Sequence, residues 1–333
     1  MKICVCGYYG FGNFGDELFL KTLQQIFTED TVFPFTGPAS IEADAVIIGG
    51  GDLITPYHFN NHYFPEQLAG LPTWVYGVGM VDSYPESTWP AEEVEKYKER
   101  LQRTKGLYVR DLWSADIARK YGFHSMVKVV PDIVFGYKEP INPITFPGKP
   151  VVGVCCFSYA EFPFQNMAGV LTELATGGFH VVLIPVVLNP ANPYADRDVC
   201  LRLQERILTA EPLAAVTVTG PTEDLNLTYN YIQCVDYLIS FKLHPALVAL
   251  RKGIPVLCLS KMGKVKSLLE AFHLENYMAD YDTSYEAILE KVTMLLTKGM
   301  QDMAAAAPLI RAKESQGEAE LQHLKLSIKS MLG

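Results

Sequence analysis

Short apolar runs alternate with amphipathic stretches along the first half of the chain. The apolar runs are KICVC, TVFPF, DAVIIGG, TWVYGVGM, GLYVR and VKVV, and helical patterns such as AEEVEKYKERLQR and WSADIARKYG separate several of them. Strands that alternate with helices are typical of a parallel sheet whose two faces are covered by helices. We therefore predict an α/β domain with a Rossmann-like arrangement in this half.

The alternation stops over GYKEPINPITFPGKP, a stretch with four prolines and two glycines, which predicts an interdomain linker. Apolar runs then resume with VVGVCCF, HVVLIPVV, AAVTVT, DYLISF and IPVLCLS, and two helical patterns without a further strand follow Tyr281. We predict a first domain over 1–140, a linker over 141–150, a second Rossmann-like domain over 151–300 and a helical tail over 301–333. The expected fold class is α/β, with the two domains facing a central cleft.

Composition narrows the class of protein. The 333 residues are 49% hydrophobic and 20% charged, and no uninterrupted apolar run reaches the roughly 18 residues that a membrane-spanning helix needs. The start of the chain shows no apolar leader, and its seven cysteines form no C-x-x-C pair. We expect a folded cytoplasmic protein with reduced core thiols and without a zinc site. The formal net charge of −9 argues against nucleic-acid binding but is compatible with a local basic pocket for a small anion.

The first apolar run leads into GYYGFGNFGDELFL, in which Gly10, Gly12 and Gly15 form a G-x-G-x-x-G pattern. A dinucleotide-binding turn needs a helix N-terminus that is open to pyrophosphate and an acidic residue after the second strand. Here Asp16 and Glu17 open the helix, and the second strand ends in FPFTG without an acid. The pattern therefore disfavours dinucleotide binding.

Two other interpretations of this turn remain. The glycines could serve only a tight connection from strand to helix, with Asp16 and Glu17 favourable to the helix dipole. Alternatively, because the turn lies at the carboxyl end of a parallel sheet, Asn13 and Asp16 could bind the hydroxyls of a sugar. The segments IIGGGDLI, which includes Asp52, and GVGM are predicted to follow further strands, so the same sheet edge favours close backbone approach more than once.

The second half carries a basic counterpart in DYLISFKLHPALVALRKGIPVLCLSKMGKV. This stretch predicts a strand, a turn with Lys242 and His244, a helix with Pro245 at its first position, and a strand that leads to Lys261 and Lys264. A cation, an imidazole and a helix N-terminus together describe an anion site with a proton donor beside it. The alternative is that His244 only caps the helix and that the lysines are solvated.

In their order along the chain, these motifs resemble those of the polysaccharide pyruvyl transferase family. The similar segments are GYYGFGNFGDE, VIIGGGDLI, YVRDLWSADIARKYG, the strand-like VPDIVF, SFKLHPALVALRKGIPV and SKMGKV. The resemblance implies a fold similar to that of type B glycosyltransferases. It also implies transfer of the pyruvyl group of phosphoenolpyruvate to two hydroxyls of one sugar, which forms a cyclic ketal. Two departures concern the donor site: Lys242 replaces an expected arginine, and CCFSYAEF lacks the arginine that relatives carry there.

This chemistry assigns roles to individual residues. We expect His244 to protonate the donor as general acid, and Asp16 to orient an acceptor hydroxyl and accept its proton. Lys242, Lys261 and Lys264 are expected to hold the phosphate and carboxylate of the donor. The other predicted substrate-binding residues are Arg110, Gly12, Asn13, Gly15 and Asp52. The reaction needs no metal and no redox cofactor, with phosphoenolpyruvate as a co-substrate.

Alternatives from other functional classes stay open. A nucleotide-sugar-dependent glycosyltransferase of the type B fold would need a pair of ribose-binding acids, and the sequence after Lys264 shows no clear acidic pair. A noncatalytic sugar-binding protein would use the same residues as caps and solvated charges. Arg110 has its own alternative, a structural salt bridge to Asp111 or Asp132. The sequence leaves open a free or lipid-linked saccharide acceptor, peripheral association with the inner face of the cytoplasmic membrane, and a homo-oligomer.

Overall fold

The structure is a computed structural model, and it describes residues 1–37, 41–81, 84–139, 144–146, 150–189, 191–220 and 224–332. The chain divides into two compact units. The first unit consists of Met1–Gly10, Gly15–Lys138 and Lys313–Gly333, and the second consists of Phe11–Phe14 and Glu139–Ala312. Most of the predicted linker over 141–150 lies outside the described residues.

The first unit is built on a parallel sheet. Its strands are β1 (Lys2–Cys6), β2 (Thr31–Pro34), β3 (Ala45–Gly49), β4 (Asp52–Ile54), β5 (Thr73–Met80), β6 (Leu107–Val109) and β7 (Val127–Val129). Their order across the sheet is β2-β1-β3-β5-β6-β7, and β4 pairs with β5. The helices that follow these strands are α1 (Phe14–Ile26), α2 (Ala91–Gln102) and α3 (Leu112–Lys120). Short 3₁₀ turns occur at Glu66–Leu68, Glu86–Thr88 and Ile133–Gly136.

The inner strands of this sheet are apolar along almost their whole length. Every residue of Ala45–Gly49 is buried, and so are the last four residues of Lys2–Cys6. On α1, Phe19 and Leu23 lie one helical turn apart and are both buried. Strands of a parallel sheet that is covered on both faces need such continuous apolar runs, and this is why the sequence pattern predicted them.

The second unit repeats this plan. Its strands are β8 (Val151–Cys155), β9 (His180–Leu183), β10 (Val216–Val218), β11 (Tyr237–Ser240), β12 (Val256–Leu259) and β13 (Met278–Ala279), in the order β10-β9-β8-β11-β12-β13. The helices are α4 (Phe164–Thr176), α5 (Arg197–Ala210), α6 (Leu225–Gln233), α7 (Leu243–Arg251), α8 (Gly263–Glu270) and α9 (Tyr285–Leu332). Among the described residues, neighbouring strands pair in parallel in both sheets. The predicted α/β fold with two domains is confirmed.

In each sheet the first strand is also the point where the strand order reverses. The strand β1 lies between β2 and β3, and β8 lies between β9 and β11. In open α/β sheets, ligands bind beyond the carboxyl ends of the strands at such a switch point. The sequence at these ends is the glycine-rich turn after β1, GGGDLI near the end of β3, CCFSYAEF at the end of β8 and SFKLHP at the end of β11.

The glycines of GVGM lie inside a strand, so the prediction that they follow one is wrong. The strand β5 continues to Met80 and includes both Gly77 and Gly79. Gly77 has a φ of +66°, and the pairing between β5 and β6 shifts its register between Tyr76 and Val78. Because glycine adopts this left-handed conformation without strain, the strand bulges at Gly77 and continues.

The segment VPDIVF, which the resemblance described as strand-like, contains a turn of 3₁₀ helix at Ile133–Gly136. The Asp132 carboxylate accepts a hydrogen bond from the backbone N–H of Val134 at 3.0 Å. An aspartate that satisfies a nearby amide in this way favours a turn over an extended strand.

The two helical patterns after Tyr281 belong to one helix, α9, which contributes residues to both units. It continues through Pro308, which cannot donate a helical hydrogen bond. Four alanines precede this proline, and their high helix propensity offsets part of the cost. Among the described residues, none of the helices combines the length and the apolar character needed to cross a membrane.

We expect Gly49→Ala to destabilise the first unit. A Cβ atom at this position would clash with the Phe19 ring and would lie 2.8 Å from the carbonyl oxygen of Tyr76. Overpacking of a filled core costs about 1–3 kcal/mol, so the unfolding midpoint should fall. Gly70→Ala is the matched control, because a Cβ atom there would meet nothing within 4 Å. Thermal unfolding followed by circular dichroism measures both variants, and equal midpoints would contradict this account of Gly49.

Candidate functional site

The glycine-rich turn after β1 is held by hydrogen bonds within the first unit. The backbone N–H of Gly10 donates to the Glu17 carboxylate at 2.7 Å. The Tyr9 hydroxyl donates to the carbonyl oxygen of Gly49 at 2.5 Å, and burial together with the nearby Asp16 charge raises the pKa of Tyr9. The Glu17 carboxylate therefore accepts the hydrogen bond of a backbone N–H group that a pyrophosphate would need as a donor. This arrangement agrees with the sequence argument against dinucleotide binding.

Asp16, the predicted acceptor-binding carboxylate, lies in the first turn of α1 and is largely buried. The backbone after β3 approaches it closely, since a Cβ atom on Gly51 would lie 3.0 Å from Asp16 Oδ1. Gly50 and Gly51 have φ values of +86° and +80°, which glycine adopts readily. The triple glycine thus gives the chain room to pass beside the Asp16 carboxylate. Gly15, also predicted, immediately precedes Asp16 in α1.

Arg110, at the end of β6, is enclosed by carboxylates of the first unit. Its side chain is only 5% exposed, forms an ion pair with Asp52 and lies 3.8 Å from Asp132. Burial lowers the pKa of the Arg110 guanidinium, but the carboxylates, with Asp52 the strongest, raise it overall. The structure therefore brings together Arg110 and Asp52, which the sequence had suggested separately. Asp132 was foreseen as a structural partner, whereas Asp111 instead caps α3 by accepting from the Ser114 N–H at 2.7 Å.

In the second unit, β11 leads directly into α7, and Lys242 is the N-cap residue of this helix. The Ser240 hydroxyl donates to the carbonyl oxygen of Lys242 at 2.7 Å and accepts from its N–H at 3.2 Å, which fixes this turn. His244 is half-buried at the second helical position. Pro245 therefore occupies the third helical position, and the prediction that it occupies the first is wrong. The helix still tolerates it, because the first four N–H groups of a helix have no intrahelical partner.

Asp196 is a residue of this region that the sequence analysis missed. Its side chain is fully buried, and Oδ2 lies 3.3 Å from the Lys242 ammonium. The carboxylate also accepts hydrogen bonds from the backbone N–H groups of Val186 and Val187 at 3.0–3.2 Å. Burial raises the pKa of Asp196, although Lys242 and the two amides oppose this effect. In the sequence, the position of Asp196 before α5 suggests only a helix cap. No pattern near Asp196 in the sequence indicates that it pairs with Lys242.

The segment Phe11–Phe14 of the glycine-rich turn clusters with the second unit. The Leu188 N–H donates to the carbonyl oxygen of Gly12 at 2.9 Å, and Asn13 faces Val187 in an antiparallel bridge. Gly12 has a φ of +71°, and a Cβ atom on it would lie 2.6 Å from the backbone nitrogen of Asn189. Gly12 and Asn13 were predicted on the acceptor side. The structure groups them with the segment that Asp196 holds.

Lys261 and Lys264 follow β12, the neighbour of β11 in the sheet. Lys261 forms an ion pair with Asp282, and its ammonium lies 4.9 Å from the centre of the Tyr281 ring. Both partners of this pair are exposed, so it contributes little to stability. Lys264 lies in the first turn of α8. The two lysines therefore follow the strand next to the one that leads to Lys242.

Aromatic rings surround Phe157, which follows β8. The Phe157 ring lies 5.3–5.5 Å, between ring centres, from the rings of Tyr159, Phe162, Phe241 and Tyr281. In the second unit, basic side chains follow β11 and β12.

A separate groove of about 380 Å³ lies in the first unit, lined in part by His58, Glu93 and Arg100. Glu93 accepts from the backbone N–H of Phe59 at 2.5 Å, and Arg100 pairs with Glu66, so these two charges already have partners within the first unit. The residues predicted from the sequence do not line this groove. Within the described ranges, no three His, Cys, Asp or Glu side chains are arranged to hold a metal ion.

Solved structures show which fold class this is. A crystal structure from Listeria monocytogenes assigned as a UDP-N-acetylglucosamine 2-epimerase has a TM-score of 0.66 at 12% identity, covering 99% of this chain and 96% of its own. UDP-GlcNAc 2-epimerase from Neisseria meningitidis, bound to UDP-GlcNAc, has a TM-score of 0.60 at 13% identity, with 99% and 100% covered. A glycosyltransferase from Rickettsia africae has a TM-score of 0.57 at 10% identity, with 99% and 98% covered. The expected similarity to type B glycosyltransferases is confirmed for the fold.

The sequence family is defined independently of these structures. The model of the polysaccharide pyruvyl transferase family matches residues 13–260, which begin at Asn13 within the glycine-rich turn and include the SFKLHP segment. A comparison with curated proteins finds no match. The chain belongs to the polysaccharide pyruvyl transferase family and is a transferase of polysaccharide biosynthesis.

We expect Arg110→Met to destabilise the first unit strongly. The substitution would leave Asp52 and Asp132 without the buried guanidinium between them, and loss of one partner of a buried pair costs about 3–5 kcal/mol. Arg119→Met is the matched control, because Arg119 forms an exposed pair with Asp116 on α3 that is worth about 0–1 kcal/mol. Urea unfolding compares the two variants. A midpoint for Arg110→Met as high as that of the control would show that Arg110 is free to serve a ligand instead.

Proposed function

We propose that this transferase moves the pyruvyl group of phosphoenolpyruvate onto two hydroxyls of one sugar and forms a cyclic ketal. The observation that carries the proposal is the combination of family membership with Lys242 and His244 at the start of α7, beside a switch point of the sheet. The acceptor class is a sugar of a polysaccharide, such as a cell-surface glycan, or of its free or lipid-linked precursor.

The donor side of the proposal rests on positive charge. Lys242, Lys261 and Lys264 follow two adjacent strands, and the first N–H groups of α7 lie beside Lys242. The phosphate and carboxylate of phosphoenolpyruvate are anions that such groups hold well. In a chain with a formal net charge of −9, this concentration of lysines favours a specific anion over nonspecific attraction.

The chemistry then needs one proton donor and one proton acceptor. His244 gives a proton to the methylene carbon of the enol, whose double-bond electrons form the new C–H bond and leave an oxocarbenium-like centre at C2. One acceptor hydroxyl attacks C2 and loses its proton to Asp16. The bond from C2 to the phosphate oxygen breaks, and phosphate leaves with the electron pair and takes up the proton held by Asp16, which restores the Asp16 carboxylate. The second hydroxyl attacks the same carbon and closes the ketal, and its proton restores His244.

The acceptor side is proposed to use the groups around the triple glycine. Asp16 and Asp52 supply carboxylate oxygens that accept hydrogen bonds from sugar hydroxyls, and Gly15 permits close approach. Arg110 orients Asp52 through their ion pair. Its proposed role is therefore to position an acceptor-binding carboxylate, in addition to any contact with the donor. Because each step is a proton transfer or a substitution at carbon, the proposed reaction uses no metal and no redox cofactor.

His244→Ala should abolish turnover while the protein still folds and binds phosphoenolpyruvate. A positioned proton donor contributes about 100- to 10,000-fold in rate, whereas the lysines and the start of α7 keep most of the anion binding. Phosphate release from phosphoenolpyruvate with methyl glycosides of glucose, galactose and mannose measures turnover, and isothermal titration measures binding. The control is His323→Ala on α9, whose side chain is 76% exposed. A rate within about tenfold of the parent would make His244 a structural residue.

The same titration separates the donor classes. Binding of phosphoenolpyruvate in preference to uridine and guanosine diphosphates supports the pyruvyl transfer. Binding of a nucleoside diphosphate with no response to phosphoenolpyruvate would favour the nucleotide-sugar glycosyltransferase, a class that shares this fold.

Asp16→Asn should weaken use of the acceptor and leave donor binding nearly unchanged. The carboxylate is proposed to contact only acceptor hydroxyls, so the KM for the glycoside should rise and the rate should fall by roughly tenfold or more. The dissociation constant of phosphoenolpyruvate should stay within about twofold of that of the parent. Asp116→Asn, at an exposed position of α3, is the control. Equal loss of donor and acceptor binding in a folded variant would assign the glycine-rich turn to the donor.

A further inference from the structure

Asp196 is a buried charge of the second unit that the proposed reaction does not use directly. It stands immediately before α5, where an aspartate commonly caps a helix, but its side chain makes no capping hydrogen bond. Both carboxylate oxygens instead lie within 3.2 Å of the backbone nitrogens of Val186 and Val187. The carboxylate therefore holds the segment that follows β9 and not the helix that follows Asp196.

The ion pair of Asp196 with Lys242 is asymmetric. The Asp196 side chain is fully buried, whereas the Lys242 side chain keeps 21% of its surface exposed. An ammonium has three N–H donors, so one can stay on Asp196 while the others face outward. A buried ion pair stabilises a protein little more than apolar side chains of the same volume would. The arrangement instead suits a cation that is anchored from behind and presented to a ligand.

The segment that Asp196 holds also carries part of the glycine-rich turn. The Phe14 N–H donates to the carbonyl oxygen of Val186 at 2.9 Å, and the Leu188 N–H donates to that of Gly12 at 2.9 Å. The Asn192 side chain adds a hydrogen bond to the carbonyl oxygen of Phe11 at 3.0 Å. One continuous set of hydrogen bonds in the second unit thus joins Phe11–Phe14, residues 186–188, Asp196 and Lys242.

We propose that Asp196 is a positioning residue that holds the Lys242 ammonium and, through residues 186–188, the segment Phe11–Phe14 in one fixed arrangement. Its part in turnover rests on the proposed function, in which Lys242 contacts the donor. Asp196 itself contacts no reacting atom. It links a motif near the start of the chain to a lysine more than two hundred residues later.

Hydrogen exchange tests the structural link without any ligand. Asp196→Asn removes the charge and one acceptor oxygen, so the amides of Val186, Val187, Leu188 and Phe14 should exchange at least about tenfold faster. Asp198→Asn is the matched control, because Asp198 is exposed in the first turn of the same helix. Mass spectrometry of peptides over 8–14 and 184–189 gives the rates. Unchanged exchange at 8–14 in Asp196→Asn would overturn the link to the glycine-rich turn.

A split between binding and turnover tests the positioning role. Removal of a negative charge beside Lys242 does not weaken its attraction for an anion, so the dissociation constant of phosphoenolpyruvate should rise no more than about threefold. Turnover should nevertheless fall by at least about tenfold, because the ammonium is no longer held in place. A parallel loss of binding and turnover, or turnover equal to that of Asp198→Asn, would overturn the proposal. Absence of phosphoenolpyruvate binding by the parent would instead refute the proposed function, and hydrogen exchange would still decide the link.

Variants of Lys242 provide a second test that does not depend on Asp196→Asn alone. Lys242→Met leaves the buried Asp196 carboxylate without its cation and should lower the thermal midpoint. The double variant Asp196→Asn/Lys242→Met leaves no unpaired buried charge, so its midpoint should lie at or above that of Lys242→Met. If the decrease in midpoint of the double variant equals the sum of the decreases of the two single variants, the residues act independently, and this result would overturn the proposal.

Discussion

The parallel pairing of the strands is the constraint on which each unit depends. Because neighbouring strands run in one direction, each needs a helix to return the chain, and the carboxyl ends of the strands meet at one edge. The residues of chemical interest follow from this geometry. The glycine-rich turn follows β1, Arg110 follows β6, Lys242 follows β11, and Lys261 and Lys264 follow β12.

Charge compensation is the second principle of the structure. Arg110 pairs with carboxylates in the first unit, Asp196 pairs with Lys242 in the second, and Glu139 forms ion pairs with Arg251 and Lys252. A buried charge without a partner would be costly, and in these three places a carboxylate lies beside each cation. For the proposed donor site this means that an anion binds to a cation that is already oriented, and a loss of rotamer freedom on binding is avoided.

Several features could be predicted from the sequence because they depend on local pattern. The strands β1, β3 and β5 are buried on both faces and therefore appear as continuous apolar runs. The helix at 91–102 is buried on one face and therefore appears as an amphipathic pattern. The family followed from motif order, since the glycine-rich turn and SFKLHP are short and contiguous. One ambiguous pattern was interpreted wrongly. Glycines in GVGM suggested a strand end, but Gly77 forms a bulge that depends on the pairing of β5 with β6.

The sequence by itself determined the alternation of strands and helices, the sheet edge at which the motifs lie, and the family. Only the tertiary structure decided the partners of the charged residues: Asp52 for Arg110, Asp196 for Lys242, and residues 186–188 for the segment Phe11–Phe14. The physical reason is distance along the chain. Periodicity and motif spacing report contacts within a few residues, whereas an ion pair between residues 46 or 58 positions apart forms only after the strands between them have taken their order in the sheet.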